Sequence, residues 1–494
     1  MIYIDPPYNT GNDFIYEDDF AESTEEFLIK SNQKDEFGNR LVANTESNGR
    51  FHSDWLTMIY PRLKLARNLL SDDGVIFISI DDNEQANLKR LCDEVFGEEN
   101  FFAEIAWRKT DNQANIGQIA RVKEYVVCCA KNNQFLNLNK IPLTDKAKKE
   151  YSYKDENGHF RRSILLHKTR GRHFYEVKTK NGNILNGPWM VKEVDFREKD
   201  KNNEILWTSS GDEQPYGKIY LHKSNGQIPN DFWDTSFGSN QEAGLNLEKL
   251  FEQRLFDFPK STKFLKNLIT IGSGKDSLIL DFFAGSSTTA HAVMQLNAED
   301  GGNRKFIMAQ LPEACDEKSE AFKAGYKNIA EISKERIRRA GKKILEGQTH
   351  EGWNKDVGFR VLKVDSSNMK DVYYSPNAIN QADLLGVVEN IKPDRKAEDL
   401  LFQVLLDLGV DLSFPITKQT IQGKTVFFVN NFVNSNELVA CFDGGITEEL
   451  VKEIAKTKPK RAVCKDNGFV SDSVKINAQQ IFKQISPSTD IKSI

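Results

Sequence analysis

No run of about 18 apolar residues occurs in the sequence, which excludes an ordinary membrane-spanning helix. The opening residues, Met1-Ile2-Tyr3-Ile4-Asp5, have neither a basic stretch nor an apolar core with a cleavage site, so export is not expected. Cysteine is scarce: Cys92, Cys128, Cys129, Cys315, Cys441 and Cys464 lie scattered without CxxC spacing. That pattern disfavours a disulfide framework and a zinc site, and it fits reduced thiols in a cytoplasmic protein with no metal. Internal repeats and low-complexity tracts are absent. A strong net charge is absent too, at -5 over 494 residues, which alone argues against a nucleic-acid partner. The average hides two opposed regions, however. Residues 1–100 hold 9 Lys+Arg against 21 Asp+Glu, whereas residues 101–180 hold 17 against 8, an electrostatic footprint suited to phosphates.

At this length a single core is too small an answer, and two to four domains are expected. Residues 2–4 read as the end of an apolar strand. A helix is expected over 54–70 behind a capping Ser53, then a buried strand over 75–80 and a helix over 84–96. Strand and helix alternating at this period predict a parallel sheet covered on both faces. From 105 to 256 the pattern changes to short strands broken by turns such as Glu156-Asn157-Gly158 and Ser224-Asn225-Gly226, and this stretch reads as an insertion. The α/β signal returns with a strand over 277–283, a helix over 287–295, a strand over 306–311 and a charged amphipathic helix over 326–345. A C-terminal α/β section follows from 347. The expected division is therefore 1–104 and 257–346 for one domain, 105–256 for the insertion and 347–494 for the tail.

Two places carry chemistry. Asp5-Pro6-Pro7-Tyr8 follows a strand end, the edge where open α/β sheets place their sites. The two prolines stiffen the backbone and remove donors, leaving carbonyls to accept. An acid, a rigid carbonyl and an aromatic face together suit a planar base bearing an amino group. Asp5 and the Pro6 carbonyl would accept its two hydrogens, while Tyr8 would stack on the ring. Such an amine is a poor nucleophile, because its lone pair is delocalised, and two acceptors would pull it toward tetrahedral geometry. The base must first leave the duplex. The second place is Asp281-Phe282-Phe283-Ala284-Gly285-Ser286-Ser287-Thr288-Thr289, a strand, a small-residue turn and a helix start that let backbone approach a ligand closely. Glu313, after the next strand, is placed to bind ribose hydroxyls.

Together these residues resemble the amino-methyltransferases of DNA in the motif order that puts Asp-Pro-Pro-Tyr ahead of the cofactor loop, and in particular the modification subunits of type III restriction systems. The resemblance rests on residues 2–12, His52-Ser53-Asp54-Trp55-Leu56, residues 75–82, Phe256-Asp257-Phe258-Pro259-Lys260-Ser261, the loop after Asp281, Lys334-Glu335-Arg336-Ile337-Arg338-Arg339 and the tail near 472–484. It implies a Rossmann-like S-adenosylmethionine-dependent methyltransferase in circularly permuted order, with a target-recognition insertion and a C-terminal α/β domain. The implied reaction is methylation of the N6 amine of adenine in DNA. Asp5, Pro6, Pro7 and Tyr8 would be catalytic, and Phe258, Pro259, Lys260, Asp281, Phe283, Gly285, Ser287, Thr288 and Glu313 would hold S-adenosylmethionine. The implied partners are double-stranded DNA, a restriction subunit and a second copy of the chain. Lys260 is also readable as a solvated charge, and His291 as packing.

The basic block of Arg161, Arg162, Lys168, Arg170 and Arg172, interleaved with histidines and aromatics, is read as DNA contact rather than a solvated face. No Pro-Cys pair occurs, so the covalent cysteine route to carbon-5 cytosine methylation is unsupported. Cytosine N4, a protein glutamine amide and a silent DNA- or partner-binding role remain as alternatives. Two departures from the resemblance carry expectations. Members have a segment ahead of the catalytic strand, including a neighbouring strand, so an unpaired edge beside residues 2–4 and weak catalysis are expected. Ser287 stands where a second glycine is usual, so strain is expected if that position has positive φ.

Overall fold

The computed structural model describes residues 1–11, 49–112, 118–208, 213–370, 391–430 and 436–494; Asn12, the last residue of the stretch 2–12 above, lies outside them. The chain divides into two units, Met1–Phe359 and Arg360–Ile494.

In the first unit, strands β1 (Ile2–Ile4) and β2 (Val75–Ile80) are buried at every position, which is why they read as unbroken apolar runs: a central strand covered on both faces has no polar side. Between and after them come helices α1 (Phe51–Leu69) and α2 (Gln85–Phe96). Then follow strands β3 (Phe101–Arg108) and β4 (Lys123–Ala130). A separate segment forms β5 (Tyr153–Asp155), β6 (Gly158–Ile164), β7 (His173–Lys178), β8 (Ile184–Trp189), helix α3 (Glu193–Lys201), β9 (Ile205–Trp207) and β10 (Pro215–Tyr220). Strand β11 (Phe232–Trp233), helices α4 (Asn240–Phe251) and α5 (Thr262–Gly272), strand β12 (Leu278–Asp281), helix α6 (Thr288–Asp300), strand β13 (Lys305–Met308) and helix α7 (Ile329–Leu345) complete the unit.

Seven strands form one sheet in the order β11-β3-β4-β2-β1-β12-β13. Strand β1 runs parallel to β2, with Ile4 opposite Ile78, and parallel to β12, with Ile2 opposite Leu280. Side chains alternate between two cores, as the pleat requires. Ile2, Ile4, Ile76, Ile78 and Ile80 meet Trp55, Ile59 and Leu63 of α1 and Leu88 and Cys92 of α2. Tyr3, Val75 and Phe77 meet Phe264, Leu268 and Ile271 of α5 and Val293 of α6.

Three expectations need correction. The edge expected beside β1 does not exist: β12, far along the chain, supplies the second neighbour, and β1 lies inside the sheet. The stretch from 105 to 256 is not all insertion, because β3, β4 and β11 belong to the main sheet. Strands β2, β4 and β3 pair antiparallel and need no crossover helix, so the loss of helical period was misread as a change of domain. The first unit also runs past 346: Trp353 is buried against Ala290, Met294, Ile337 and Ala340, with Val357 and Phe359 packed beside it.

The insertion proper holds a four-stranded sheet, β5-β6-β10-β9, and the hairpin β7-β8. Its own small core is Leu165, Val177, Trp189, Phe196 and Ile205. The second unit has helix α8 (Ala397–Asp407), strands β14 (Ile416–Ile421), β15 (Lys424–Val429) and β16 (Leu438–Cys441), helix α9 (Glu448–Lys456), strand β17 (Arg461–Cys464), helix α10 (Asp472–Ile485) and strand β18 (Asp490–Ser493). Its five strands pair in chain order, antiparallel from β14 to β16 and parallel from β16 to β18. No helix among the described residues is long and apolar enough to cross a membrane. No group of three or more His, Cys, Asp or Glu among them is arranged to hold a metal.

Candidate active site

Asp5 comes one residue after β1 ends, and Asp281 is the last residue of the adjacent parallel strand β12. Both carboxylates therefore lie at the carboxyl edge of neighbouring parallel strands, where this kind of sheet opens a crevice.

The turn after β1 is fixed from several sides. Trp55, fully buried on α1, donates its indole N–H to the carbonyl of Pro7 at 2.7 Å. Asn9, buried and at φ 59°, donates to Glu84 at 2.6 Å and to the Phe51 carbonyl at 3.2 Å. Glu84, with no exposed surface, also accepts from Asn87 at 2.8 Å and contacts His52 Nδ1 at 2.6 Å. The recognised stretch around Trp55 thus serves to clamp Asp-Pro-Pro-Tyr. The sequence marked those residues without saying why.

Around Asp5 lies a compact ionic cluster. Lys260 Nζ is 3.1 Å from Asp5 Oδ1 and 2.9 Å from Glu124 Oε2. Tyr8 donates its hydroxyl toward Asp5 Oδ1 at 2.9 Å and Glu124 Oε2 at 3.1 Å, and its oxygen accepts from Lys260 at 2.6 Å. Lys109 Nζ closes the cluster on Glu124 Oε1 at 3.0 Å. The Lys260 ammonium also lies 4.8 Å from the centre of the Tyr8 ring and 5.9 Å from that of Trp107, close enough for attraction to the ring quadrupole.

Burial pushes the Asp5 carboxyl up, opposed by the Lys260 charge and reinforced by Glu124. Burial also drives the Tyr8 phenol well up, helped by Asp5 and Glu124. Burial alone would raise Glu124 as well, but Lys260 and Lys109 outweigh it and hold that carboxyl below its usual range. For Lys260 burial works against the charge, yet the two carboxylates win and push it up. Lys260 is 9% exposed, so the solvated reading is wrong. Its contacts are with the acid and the tyrosine of the turn after β1.

The loop after β12 has the shape its composition implies. Gly285 is at φ 50° and Ser287 at φ 58°, the left-handed region, and Ser287 leads directly into α6. Asp281 is buried, accepts from Thr289 Oγ1 at 2.5 Å and from the Phe283 N–H at 3.1 Å, and has its carboxyl pushed up by burial to about 7. The Gly285 N–H donates to Gln310 at 2.7 Å, and its carbonyl accepts from Ser333. Beneath the loop Arg336, 3% exposed, donates to Ser286 at 2.7 Å and Thr288 at 2.6 Å; burial pushes it down to about 9. Phe283 is buried in the core of α1 and α2, while Phe258, at φ 54°, is 80% exposed and Pro259 is buried. Glu313 lies five residues past β13, partly exposed and 3.5 Å from Gln310. His291 is mostly packing, its Nδ1 buried and its ring pushed down to about 3 by burial and then by Arg336.

The basic block is not one surface. Arg161 and Arg162 are consecutive on β6, paired opposite Ile219 and Lys218, so they point to opposite faces. Arg162 lies 4.7 Å from the rings of both Tyr153 and Tyr216, and Arg161 is 3.9 Å from Glu150. Lys168, Arg170 and Arg172 are exposed in the loop between β6 and β7, with Arg170 bonded to His167 at 3.2 Å. The residues that reading the sequence overlooked are Glu124 and Lys109, while Arg336 was marked only as part of a run that carries the resemblance, with no role given. A lone acid near the start of a strand that is apolar from Tyr125 onward was the available signal for the first.

Comparison with known proteins agrees with the geometry. The family described as DNA methylase matches residues 1–342. The Mod subunit of the type III restriction-modification enzyme StyLTI of Salmonella typhimurium is 40% identical over 377 residues, covering 73% of this chain and 56% of that protein. The EcoPI Mod subunit of Escherichia phage P1 is 34% identical over 398 residues, 73% of this chain and 61% of its own. The type II methyltransferase M.KpnI of Klebsiella pneumoniae is 32% identical over 358 residues, 68% of this chain and 80% of its own. The chain thus spans somewhat over half the length of the type III subunits it matches. A match that runs from the turn after β1 through the small-residue loop after β12 to α7 leaves one assignment: the chain belongs to the DNA methylase family.

Proposed function

We propose that the protein transfers a methyl group from S-adenosylmethionine to the N6 amine of adenine at a specific DNA site, as the modification subunit of a type III restriction-modification system. The observation that carries this reading is the placement of Asp5 and Tyr8 after β1 beside the small-residue loop after β12. The residues present fit the cofactor: two residues of positive φ, Gly285 and Ser287, shape a turn open to close backbone approach, α6 begins there, and Glu313 lies five residues past the next strand, the order in which a ribose-binding acid follows a cofactor loop. When bound, S-adenosylmethionine supplies an electrophilic methyl. Asp5 and the Pro6 carbonyl would hold the two amine hydrogens, keeping the nitrogen lone pair aimed at that methyl, and Asp5 would be the acceptor for the proton the amine gives up. Tyr8 covers the extruded base. Pro259 and Lys260 flank the methionine end, together with Phe283, Gly285, Ser287 and Thr288.

The proposal includes double-stranded DNA, met by the exposed Lys168, Arg170 and Arg172 loop and by Arg161 and Arg162, and also a restriction subunit, a second copy of the chain and a cytoplasmic location. Incubation with labelled cofactor and unmodified DNA, followed by digestion to nucleosides, tests it. N6-methyladenine is the expected product, abolished by Asp5→Ala with cofactor binding retained. N4-methylcytosine would move the acceptor, and cofactor binding without incorporation would favour a binding role.

A further inference from the structure

The cluster at Asp5 contains one acid more than amine activation needs. Glu124 reaches in from β4, two strands away from β1 in the sheet, and is 4% exposed. Burying a carboxylate is costly unless its charge is matched, and Glu124 is matched twice, by Lys260 at 2.9 Å and Lys109 at 3.0 Å. Without Glu124, Lys260 would face a single, half-buried carboxylate, Asp5. The two would close into a tight pair, leaving the acid little capacity to accept from anything else. The Tyr8 hydroxyl is likewise divided, within 2.9 Å of one acid and 3.1 Å of the other.

We propose that Glu124 is a positioning residue for methyl transfer: by taking a share of the Lys260 charge and of the Tyr8 hydroxyl, it leaves Asp5 aimed and with oxygen capacity free to accept from the substrate amine. Lys109 sets the strength of that share by neutralising the outer oxygen of Glu124. The assignment rests on the DNA-methylation reading above. Both partners act through Asp5 and need not touch substrate.

Two variants move the system in opposite senses. The groups facing Asp5 are Tyr8 in its own turn, Tyr3 on β1, Glu124 from β4, Lys260 from the segment before α5, and Asp281 at the end of β12. Glu124→Gln removes a negative charge that favours the protonated acid and gives Lys260 wholly to Asp5. The acid limb of the single-turnover rate against pH should then move down by roughly one unit, while the plateau rate falls about tenfold or more. Lys109→Gln leaves Glu124 more negative and draws Lys260 toward it, so the acid limb should move up. S-adenosylmethionine affinity, read by calorimetry at the plateau pH, should change less than about threefold in both.

Glutamate-to-aspartate replacement at 124 should restore part of the rate. Opposed shifts of the limb establish the role. If Glu124→Gln does not fold, an upward shift in Lys109→Gln still supports it and an unmoved limb overturns it. Wild-type transfer to DNA with limbs unmoved in both variants would sink the role of Glu124 while leaving the methylation reading intact. Wild-type protein that transfers nothing to DNA would overturn that reading and this assignment with it.

Discussion

Ser287 holds φ 58° and ψ 44°, a conformation that costs a residue with a Cβ roughly 1 kcal/mol or more and costs glycine little. The surrounding bonds force the turn: the Ser287 N–H reaches the Ala284 carbonyl at 2.6 Å, and the Ser287 carbonyl accepts from His291 N–H at 3.3 Å. Ser287→Gly should therefore stabilise the fold by about 0.5–1 kcal/mol and tighten S-adenosylmethionine binding. Unchanged melting and affinity would mean that the serine sits there without strain. Asp281 gives a pH signature of its own. Its folded value of about 7 lies above the ordinary 3.8, so between these values the folded state holds a proton that the unfolded chain has released. Stability then falls as pH rises through that window, by at most about 1.4 kcal/mol per unit. His291, pushed down from 6.5 to about 3, acts oppositely over much of the same range, since there the unfolded chain binds the extra proton. Asp281→Asn should make the slope of melting temperature against pH more positive between about 4 and 7. The same slope in wild type and variant would show that Asp281 is charged throughout.

At the scale of elements, what the sequence revealed and what it hid follow from range. The strand ending at Ile4, the clamped turn after it and the small-residue loop after Asp281 are local patterns, so periodicity and residue size exposed them. Glu124 acquires meaning only because β4 pairs with β2 and β3 while β1 lies on the other side of β2, and no local pattern encodes that order. The solvated alternative for Lys260 was open for the same reason, since its partners lie 136 and more residues away. Helix α7 was legible as an amphipathic helix and Arg336 as part of a run that carries the resemblance, yet nothing local showed what Arg336 touches. In the fold it runs beneath the loop after β12 to Ser286, Thr288 and, at 3.5 Å, Thr262 of α5, with its Nε unpartnered. Arg336→Met removes a costly buried cation but strands two hydroxyls, each worth about 1–3 kcal/mol when left unsatisfied. Net destabilisation of about 1–3 kcal/mol and weaker cofactor binding are expected, measured by denaturant unfolding and calorimetry. Equal stability with unaltered affinity would mean that the loop holds its shape without α7.

At the scale of the whole molecule, the two units have separate means of holding together. In Met1–Phe359 the alternation of β1 and β2 feeds two cores, one with α1 and α2 and the other with α5 and α6. Arg360–Ile494 repeats the logic with its own residues. Val426, Phe428, Val439 and Cys441 pack against Leu450, Ile454, Ala478 and Phe482, while Phe427, Val429, Leu438 and Ala440 pack against Leu400, Leu401, Val404 and Leu405. Each unit buries both faces of its sheet from within, so each should unfold as its own cooperative step. Scanning calorimetry of the full chain is expected to show two transitions. The proposed cofactor site belongs wholly to Met1–Phe359, so S-adenosylmethionine should raise one transition and leave the other in place. At a hundredfold excess over Kd the linkage is about 2.7 kcal/mol. With an unfolding entropy of about 2.1 cal/mol/K per residue, that moves a unit of this size by roughly 3–4 °C. A single transition that shifts as a whole with cofactor would show that the two cores melt as one.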